Sequence, residues 1–480
     1  MSRITFTQMI REAAVYLEKH RMCSKHHVEH TGSNAYLLDF YDYLGDAKKG
    51  KELVWYLLDL IVVSPEGGAK VFYPGHLNPM NMSQNVIDTG TAVDTIARFA
   101  SRNRTLFSDA EHMRIQRTLR EVAEGYLITA ARSKKITNQR LWGLTGLASY
   151  AAYSGETEMY RTIAETSVHK AFADSTPDGF FRYYPNPDGR SLPYDDLTTF
   201  YQSRHTAFMQ YSLHLLEMEG DEYDARIEAG VGALLSMYDN EGIKDMRMEC
   251  KRWYWLSSYE VASHSFDAYA LAHSKNPHAK VALNNVLYQI RQHFFDGFLH
   301  SHKGLNVNFQ CPIFWTAHLA WLTRIDSIEA LFNQASRVEP FSYTFHGKEV
   351  FTDTNEQRRI LINTRLQHRN PTTGIFENGL DGACAWRLRL PRLPRAYLFS
   401  VREVLNHSWY ALRGGHIAET CVRLSRFFFE SLVMLLPCYR IGYGKITSLK
   451  IGADSVIVTV LPASKYGTLL NKEVTKTIPI

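Results

Sequence analysis

The apolar residues of this chain recur at helical spacing almost continuously from about residue 5 to about residue 335, in two patterns. Ile115, Leu119 and Val122 follow one another at intervals of four and three residues, which is typical of a helix buried along one side. The segments 206–216 and 262–272 are apolar nearly all round, which is typical of helices covered on every side. One half-exposed and one fully buried class of helix together predict two concentric layers.

Local signals indicate where helices begin and where the chain turns. The segment Ser108–Glu111 has the pattern of a capping box, which begins a helix. A glycine follows an acidic residue at Gly179, Gly242 and Gly297, and each time a polar, aromatic loop and a buried helix come next. A fourth turn of this kind is expected at Gly374. About six units of two helices, each of roughly 50–60 residues, predict a closed ring of helical hairpins.

Two further buried helices are expected at 84–100 and 142–153. The second carries small residues that would let neighbouring inner helices approach closely. These small residues are Gly143, Gly146, Ala148 and Ala151.

The character of the sequence changes after about residue 340. Residues 358–413 contain ten arginines and no lysine, which fits an anion-binding wall, a solvated face or a partner surface equally well. A last amphipathic helix is expected at about 417–436, where Pro437 ends it. Alternating residues on either side of 452–454 then predict a β-hairpin. We therefore expect a helical ring over residues 1–440 and a β-hairpin appendix over residues 441–480.

Composition excludes several classes of protein. Lysine and arginine total 54 against 49 acidic residues, an excess of +5 that is too small to imply nucleic-acid binding. Six scattered cysteines form neither a disulfide framework nor a zinc motif. The first residues lack the apolar core of a signal peptide, and no apolar run is long enough to span a bilayer. A soluble, cytoplasmic protein without metal or cofactor is the expectation, since nucleotide-binding and zinc-protease motifs are also missing from the sequence.

With its two classes of helix and its acid–glycine turns, the segment 1–440 resembles the (α/α)6-toroid carbohydrate-active enzymes. Unsaturated glucuronyl hydrolases and the helical domains of heparinase-like lyases are examples. The resemblance implies an all-α, double-layer toroid, here with a small C-terminal β element. It also implies that the inner-helix ends and the loops before them form a funnel that holds a sugar.

The loops that lead into the buried helices combine aromatic side chains with amides, carboxylates and arginines. Aromatic faces stack on the C–H face of a sugar ring, and its hydroxyls need polar partners, although any one aromatic at helical spacing also fits a core position. The candidate substrate-binding residues are Asn85, Tyr184, Arg204, Trp255, Tyr259, Trp315 and His318.

Hydrolysis of a glycosidic bond usually needs two carboxyl groups, one acting as acid and the other as base or nucleophile. Asp88 is expected in the first turn of an apolar helix, where an aspartate is also a common cap. Asp196 and Glu260 occupy comparable places in later units. These three residues are the candidate catalytic carboxyl groups.

Tyrosine and histidine suggest a different reaction, β-elimination or C5-epimerisation of a uronic acid. Both reactions need a cation or amide that neutralises the carboxylate, and a tyrosine or histidine that abstracts the adjacent proton. Arg204, His205 and Tyr201 could supply such a set, as could residues within 406–413. His205 also fits a core histidine that is bonded to the backbone.

The sequence thus predicts an enzyme that cleaves glycosidic bonds in an acidic oligo- or polysaccharide, with hydrolysis ahead of elimination or epimerisation. A non-catalytic helical scaffold that docks an acidic partner is the alternative from another class. The two differ in placement, because an enzyme gathers Asp88, Arg204 and Glu260 around one funnel, whereas a scaffold scatters such groups over its outer surface.

Overall fold

The structure is a computed structural model, and it describes part of the 480-residue chain. The described residues are 4–20, 22–23, 28–29, 31–64, 68–72, 83–182, 198–244, 259–300, 312–348, 350–355, 358–363, 374–379, 421, 425, 443–452, 454–463 and 473–479. This part is mostly helical, as expected, and it also contains small antiparallel sheets.

The α-helices are numbered here in chain order within the described part. They are α1 (Phe6–Lys19), α2 (Thr31–Ala35), α3 (Leu37–Leu44), α4 (Ala47–Asp59), α5 (Ser83–Arg102), α6 (Asp109–Val122), α7 (Ile128–Ser133), α8 (Thr137–Ser154), α9 (Thr157–Ala173), α10 (Thr199–Leu215), α11 (Asp221–Leu235), α12 (His264–Ala272), α13 (Ala279–His293), α14 (Pro312–Ala317) and α15 (Ile328–Gln334). Short 3₁₀ segments cover Arg104–Leu106, Tyr259–Ser263 and His318–Arg324, and a π-helical turn covers Ala123–Leu127.

The strands are short and belong to separate sheets. They are β1 (Met22–Cys23), β2 (Val28–Glu29), β3 (Ile61–Val63), β4 (Lys70–Phe72), β5 (Phe294–Phe295), β6 (Phe298–Leu299), β7 (Tyr343–His346), β8 (Val350–Thr354), β9 (Arg358–Asn363), β10 (Gly374–Gly379), β11 (Tyr443–Ile451), β12 (Ser455–Ala463) and β13 (Val474–Pro479). Strands β1–β2, β3–β4 and β5–β6 pair as two-stranded antiparallel ribbons between helices.

Six helical segments contact one another in a closed sequence. Helix α3 contacts α5, and the contacts continue through α8, α10, α12 and the 3₁₀ segment His318–Arg324, which contacts α3 again. Ser149 of α8 and Tyr211 of α10 both donate to Asp94 of α5, at 2.6 and 3.0 Å. Nearer the helix starts, Gly90 of α5 lies against Trp142 of α8, and Trp142 packs on Phe208 of α10. The contacts therefore advance along the three helices together, so α5, α8 and α10 run in the same direction.

A second set of helices lies against the first and is buried along one side. Helix α4 contacts α3, α9 contacts α8, α11 contacts α10, and α13 contacts α12. Helix α8 is buried along most of its length, whereas α6 buries only His112, Ile115, Leu119 and Val122. The capping box at the start of α6 is formed, since Ser108 accepts from the Glu111 amide at 3.3 Å. The two predicted classes of helix are therefore confirmed.

The backbones of α5 and α8 approach each other closely at two glycines. A Cβ atom on Gly146 would lie 2.8 Å from the carbonyl oxygen of Gly90 and 3.0 Å from its Cα atom. Gly143 lies instead against Ala130 and Ala131 of α7. The expected close approach of neighbouring helices is confirmed at Gly146, because no larger residue fits there without moving the backbone of α5.

We therefore expect Gly146→Ala to lower the free energy of unfolding by about 1–3 kcal/mol, the usual range for overpacking a core. Gly125→Ala is the matched control, because a Cβ atom on this helical glycine would meet no atom within 4 Å. Alanine has the higher helix propensity, so that control should be neutral or slightly stabilising. Urea unfolding of both variants checks the prediction, and equal midpoints would contradict it.

The acid–glycine turns predicted from the sequence are confirmed at three of the four positions. Gly179, Gly242 and Gly297 have φ angles of 84°, 78° and 79°, a region that favours glycine. They follow α9, α11 and α13, which belong to the second set of helices. The fourth prediction was wrong, because Gly374 begins strand β10.

A four-stranded antiparallel sheet, in the order β10-β9-β8-β7, lies within the segment that was expected to be helical. Arg359 of β9 is buried and donates to the carbonyl oxygens of Ser236 and Tyr238 at 2.8 and 2.7 Å. These bonds attach the sheet to the end of α11. A β-sheet that was not predicted therefore lies within residues 1–440, where a helical ring was expected, and one arginine of the arginine-rich stretch has a structural role.

The C-terminal β-hairpin is confirmed, and the sheet is larger than expected. Strands β11 and β12 pair antiparallel, with Ile451 opposite Val456 beside the turn, and β13 adds a third strand. Of the helix expected at 417–436, Cys421 and Ser425 are helical, and the remaining residues lie outside the described part.

Candidate functional site

The first two turns of α10 bring together three of the residues singled out from the sequence. Thr198 caps the helix, accepting from the Tyr201 amide at 3.1 Å. Tyr201, Arg204 and His205 are three and four residues apart, so they share one side of the helix. His318 lies beside them, with its Nδ1 atom 3.3 Å from Arg204 Nη2. We call these four residues the His–Arg cluster.

Arg204 is held in the centre of this cluster by carbonyl and aromatic groups. It is 1% exposed, and its guanidinium donates to the carbonyl oxygen of Ala262 at 2.8 Å. Its charged carbon lies 4.0 Å from the ring centre of Phe200 and 4.6 Å from that of Phe266. Cation–π contacts of this kind stabilise a buried guanidinium while leaving its positive charge in place.

His205 is fully buried, and neither of its ring nitrogens has a hydrogen-bond partner among the described residues. Its ring lies 6.0 Å from that of Tyr201, nearly parallel, and meets Phe181 edge-on at 5.2 Å. Burial lowers the pKa of His205 well below its ordinary value, and the charges of Arg140 and Arg204 lower it further. The imidazole is therefore neutral at pH 7, with one nitrogen able to accept a hydrogen bond.

This neutral state makes stability depend on pH. The unfolded histidine protonates near its ordinary pKa of 6.5, whereas the folded one does not, so its stabilising contribution is complete above pH 6.5 and declines below it. Lowering the pH from about 7.5 to about 5.5 should therefore decrease the free energy of unfolding of the wild type by roughly 1 kcal/mol more than that of His205→Gln. His169→Gln, at a position whose side chain is 52% exposed, is the control and should keep the wild-type pH dependence. Urea midpoints at the two pH values measure the difference, and parallel pH profiles for all three proteins would contradict the prediction.

Asp88 connects two helices. It is fully buried, and its Oδ1 atom accepts from the backbone amide of Gly32 in α2 at 2.8 Å. The prediction that Asp88 lies in the first turn of its helix was wrong, because α5 begins at Ser83 and places Asp88 in the second turn. Nearby Asn85 donates to the hydroxyl oxygen of Ser64 at 3.1 Å.

Trp315 lies in α14, and His318 begins the 3₁₀ segment His318–Arg324 that completes the closed sequence of contacts. Trp315 is 1% exposed, and its indole N–H donates to the Leu299 carbonyl oxygen at 2.6 Å. His318 is fully buried among aromatic rings, including Phe314 at 4.1 Å and Tyr36 at 5.6 Å. Both side chains therefore lie in the core, and His318 is the one that joins the His–Arg cluster.

The remaining candidates lie wholly or partly outside the described residues. Tyr184, Asp196 and Trp255 lie outside the described residues. Tyr259 and Glu260 begin the 3₁₀ segment Tyr259–Ser263, but their side chains are outside the described part. The grouping of Asp88, Arg204 and Glu260 around one funnel therefore stays a prediction.

The sequence analysis missed a buried ionic cluster between α3, α5 and the 3₁₀ segment His318–Arg324, formed by Asp39, Asp94, Arg98 and Arg324. Arg324 Nη2 lies 2.7 Å from Asp39 and 2.8 Å from Asp94, and Arg98 Nε lies 3.1 Å from Asp39. Burial acts to raise the pKa of Asp39, but the guanidinium groups of Arg324 and Arg98 outweigh it and hold the pKa below its ordinary value. We call these four residues the Asp39–Arg324 cluster.

A second missed cluster surrounds Lys244. Its Nζ atom lies 2.7 Å from Asp267 Oδ1, and both side chains are fully buried. His264 Nδ1 lies 3.3 Å from the other carboxylate oxygen, and Ser263 accepts from Lys244 at 3.0 Å. A charged residue inside an otherwise apolar helix was the available signal for both clusters, since such residues are almost never buried without a partner.

Comparison with known proteins adds no assignment: no protein-family model matches the chain, and no curated protein matches it either. No helix in the described part is both long and apolar enough to cross a membrane. The described residues also hold no group of three or more His, Cys, Asp or Glu side chains suited to a metal ion. The interpretation of the site therefore depends on its own geometry.

Proposed function

We propose that the chain is an (α/α)6 toroid, in which the closed sequence of inner contacts forms the inner layer. The second set of helices would form the outer layer. Three features support this arrangement: the return of contacts from His318–Arg324 to α3, the common direction of α5, α8 and α10, and the alternation of buried and one-sided helices.

On this fold we propose an enzyme that cleaves glycosidic bonds in an oligo- or polysaccharide containing uronic acid, by β-elimination. The observation that carries the proposal is the neutral, buried His205, which lies beside Tyr201 and two arginines. Tyr201 is half-buried, so it is the member of the pair that can contact a substrate. The positive charge of Arg204 would stabilise the negative charge that develops on the uronate carboxylate.

The chemistry of elimination balances with these groups alone. The C5 proton passes to the Tyr201–His205 pair, whose rings are nearly parallel with their centres 6.0 Å apart. The electron pair of the C5–H bond forms a C4=C5 double bond, and the bond from C4 to the glycosidic oxygen breaks. That oxygen leaves with the proton that came from C5. C5-epimerisation would use the same proton abstraction, followed by return of a proton to the opposite face.

Hydrolysis remains the second candidate because Asp88 is a fully buried carboxyl group near the start of another inner helix. Its Oδ1 atom, however, already accepts from the Gly32 amide, which favours a structural role. The scaffold alternative has less support, since Asp88, His205 and Trp315 are all buried rather than scattered over the outer surface.

Defined uronic-acid oligosaccharides, each paired with its neutral counterpart, provide the test. Elimination creates a double bond conjugated with the carboxylate, so we expect new ultraviolet absorbance and two products whose masses sum to that of the substrate. Hydrolysis would give products whose masses sum to that of the substrate plus one water, without new absorbance. Epimerisation would leave the mass unchanged and exchange the C5 hydrogen with deuterated solvent. Absence of all three changes across the acidic set would contradict the proposal.

A further inference from the structure

Gln202 of α10 lies one helical turn before His205 and is fully buried. Its Oε1 atom accepts from the backbone amide of Phe181 at 2.9 Å. Its Nε2 atom donates to the carbonyl oxygens of Gly179 and Gly230 at 2.9 and 3.0 Å. Gly179 belongs to an acid–glycine turn and Gly230 to α11, so one side chain joins that turn to two helices.

The same kind of bond recurs in two other parts of the fold. Thr89 of α5 accepts from the backbone amide of Phe72 at 3.2 Å, and Thr316 of α14 accepts from that of Leu299 at 3.1 Å. Phe72 and Leu299 end short antiparallel ribbons, and Phe181 forms an isolated β-bridge. In all three cases, a buried side chain of the following helix anchors the extended segment that precedes it.

His205 occupies a position that is apolar in the other two parts. Three residues beyond the anchoring side chain, the chain has Ala92 in α5 and Leu319 after α14, and both are fully buried. In α10 the residue at this position is His205. An aliphatic side chain satisfies the packing there, so the histidine needs another explanation.

The side chain of Phe181 covers this histidine. Its ring meets the imidazole edge-on, with ring centres 5.2 Å apart, and only 1% of Phe181 is exposed. Because Gln202 holds the backbone amide of Phe181, the position of the ring depends on Gln202. Water would stabilise the charged imidazolium, so the cover favours the neutral form.

Within the described part of the chain, the charged and titratable groups around His205 are Arg140 of α8 together with Arg204 and Tyr201 of α10. Arg140 is paired with Asp174, and the positive charges of both arginines lower the pKa of His205 in addition to burial. Removing the amide of Gln202 leaves all of these groups in place. A change in the protonation of His205 would then report on its cover rather than on a neighbouring charge.

We propose that Gln202 is a positioning residue, which holds Phe181 against the ring of His205 and so keeps water away from the imidazole. The inference rests on the proposed function, in which the neutral His205 acts with Tyr201 as the base. Without Gln202, the segment that carries Phe181 loses its anchor, and water reaches the imidazole. The pKa of His205 should then rise towards its ordinary value of 6.5, because water stabilises the imidazolium.

NMR of the protein labelled with ¹³C at the histidine Cε1 atoms tests the proposal, since the shift of each signal reports the protonation of its imidazole. His205→Gln identifies the signal of His205 by its absence. Gln202→Met keeps the length of the side chain and removes the amide. Phe181→Leu keeps the backbone amide and removes the ring. Thr89→Val is the matched control, because it removes the equivalent acceptor in α5.

Between about pH 7.5 and about pH 5.5, the His205 signal should keep the shift of a neutral imidazole in the wild type and in Thr89→Val. It should move towards the shift of an imidazolium in Gln202→Met and Phe181→Leu. Gln202→Met and Thr89→Val each leave a buried amide without its acceptor, so both should melt at a lower temperature, and stability alone does not produce the difference. Wild-type behaviour of the signal in Gln202→Met or in Phe181→Leu, or an equal shift in Thr89→Val, would overturn the proposal.

A substrate adds a second readout. The base must be neutral, so the acid limb of the pH–rate profile should move to higher pH in Gln202→Met and stay in place in Thr89→Val. An unmoved acid limb in Gln202→Met would overturn the role in catalysis. The NMR result needs no substrate, so it decides whether Gln202 protects His205 even where the wild type forms no product, which is the outcome that contradicts the proposed function.

Discussion

Replacing Arg324 with glutamine is expected to lower the free energy of unfolding by about 3–5 kcal/mol, the cost of leaving buried charges uncompensated. Arg324 lies 2.7 Å from Asp39 and 2.8 Å from Asp94, and both carboxylates are buried. Glutamine offers hydrogen bonds but no charge. Arg98 alone would then face two carboxylates, and at least one of them must stay buried without a cation or take up a proton.

Urea unfolding of Arg324→Gln measures the loss, and Arg102→Gln provides the matched control. Arg102 makes the same kind of contact, 3.0 Å from Asp42, but its side chain is 53% exposed. Exposed ion pairs contribute about 0–1 kcal/mol, so the control should stay close to the wild type. Equal losses in the two variants would show that Arg324 does not compensate the buried carboxylates.

Replacing Tyr201 with phenylalanine should lower turnover of a uronic-acid substrate by at least about a hundredfold, the usual contribution of a positioned acid–base group. The substitution removes only the hydroxyl group and keeps the ring that lies beside His205. The melting temperature should therefore stay near that of the wild type. This combination separates loss of chemistry from loss of folding.

Tyr288→Phe is the control for this prediction, because Tyr288 is a half-buried tyrosine on the outer helix α13. Its turnover should equal that of the wild type. If hydrolysis is the reaction, Asp88→Asn will abolish turnover instead, and Tyr201→Phe will remain active. Asparagine keeps an oxygen that can accept from the Gly32 amide, so the helix connection survives in that variant.

The helical part of the fold could be predicted because its signals are local. The capping box at Ser108 and the turns at Gly179, Gly242 and Gly297 depend on a few adjacent residues, and the apolar period repeats within each helix. The sheet β7–β10 was not predicted. In its strand β8, all five residues of Val350–Thr354 are buried, so the alternation of buried and exposed residues that usually identifies a strand is missing.

The site was harder to predict because its partners are distant in the sequence. Asp39 and Arg324 are 285 residues apart, and Arg204 and His318 are 114 residues apart. Periodicity assigns each residue to a buried face but does not identify what it meets there. Asp88 is an example, since its partner is the backbone amide of Gly32. Nearly every residue has such an amide, so the sequence does not indicate which one Asp88 binds.

The contact between His318–Arg324 and α3 also constrains how the protein is made. Ribosomes add about 5–20 residues per second, so Asp39 waits roughly 15 s to 1 min before Arg324 has been synthesised. Until then the inner faces of the first helices have no final neighbour, and their apolar surface is available to chaperones or to another nascent chain. The circle of contacts cannot close before that point, so we expect expression to be most sensitive to changes in the residues that complete it.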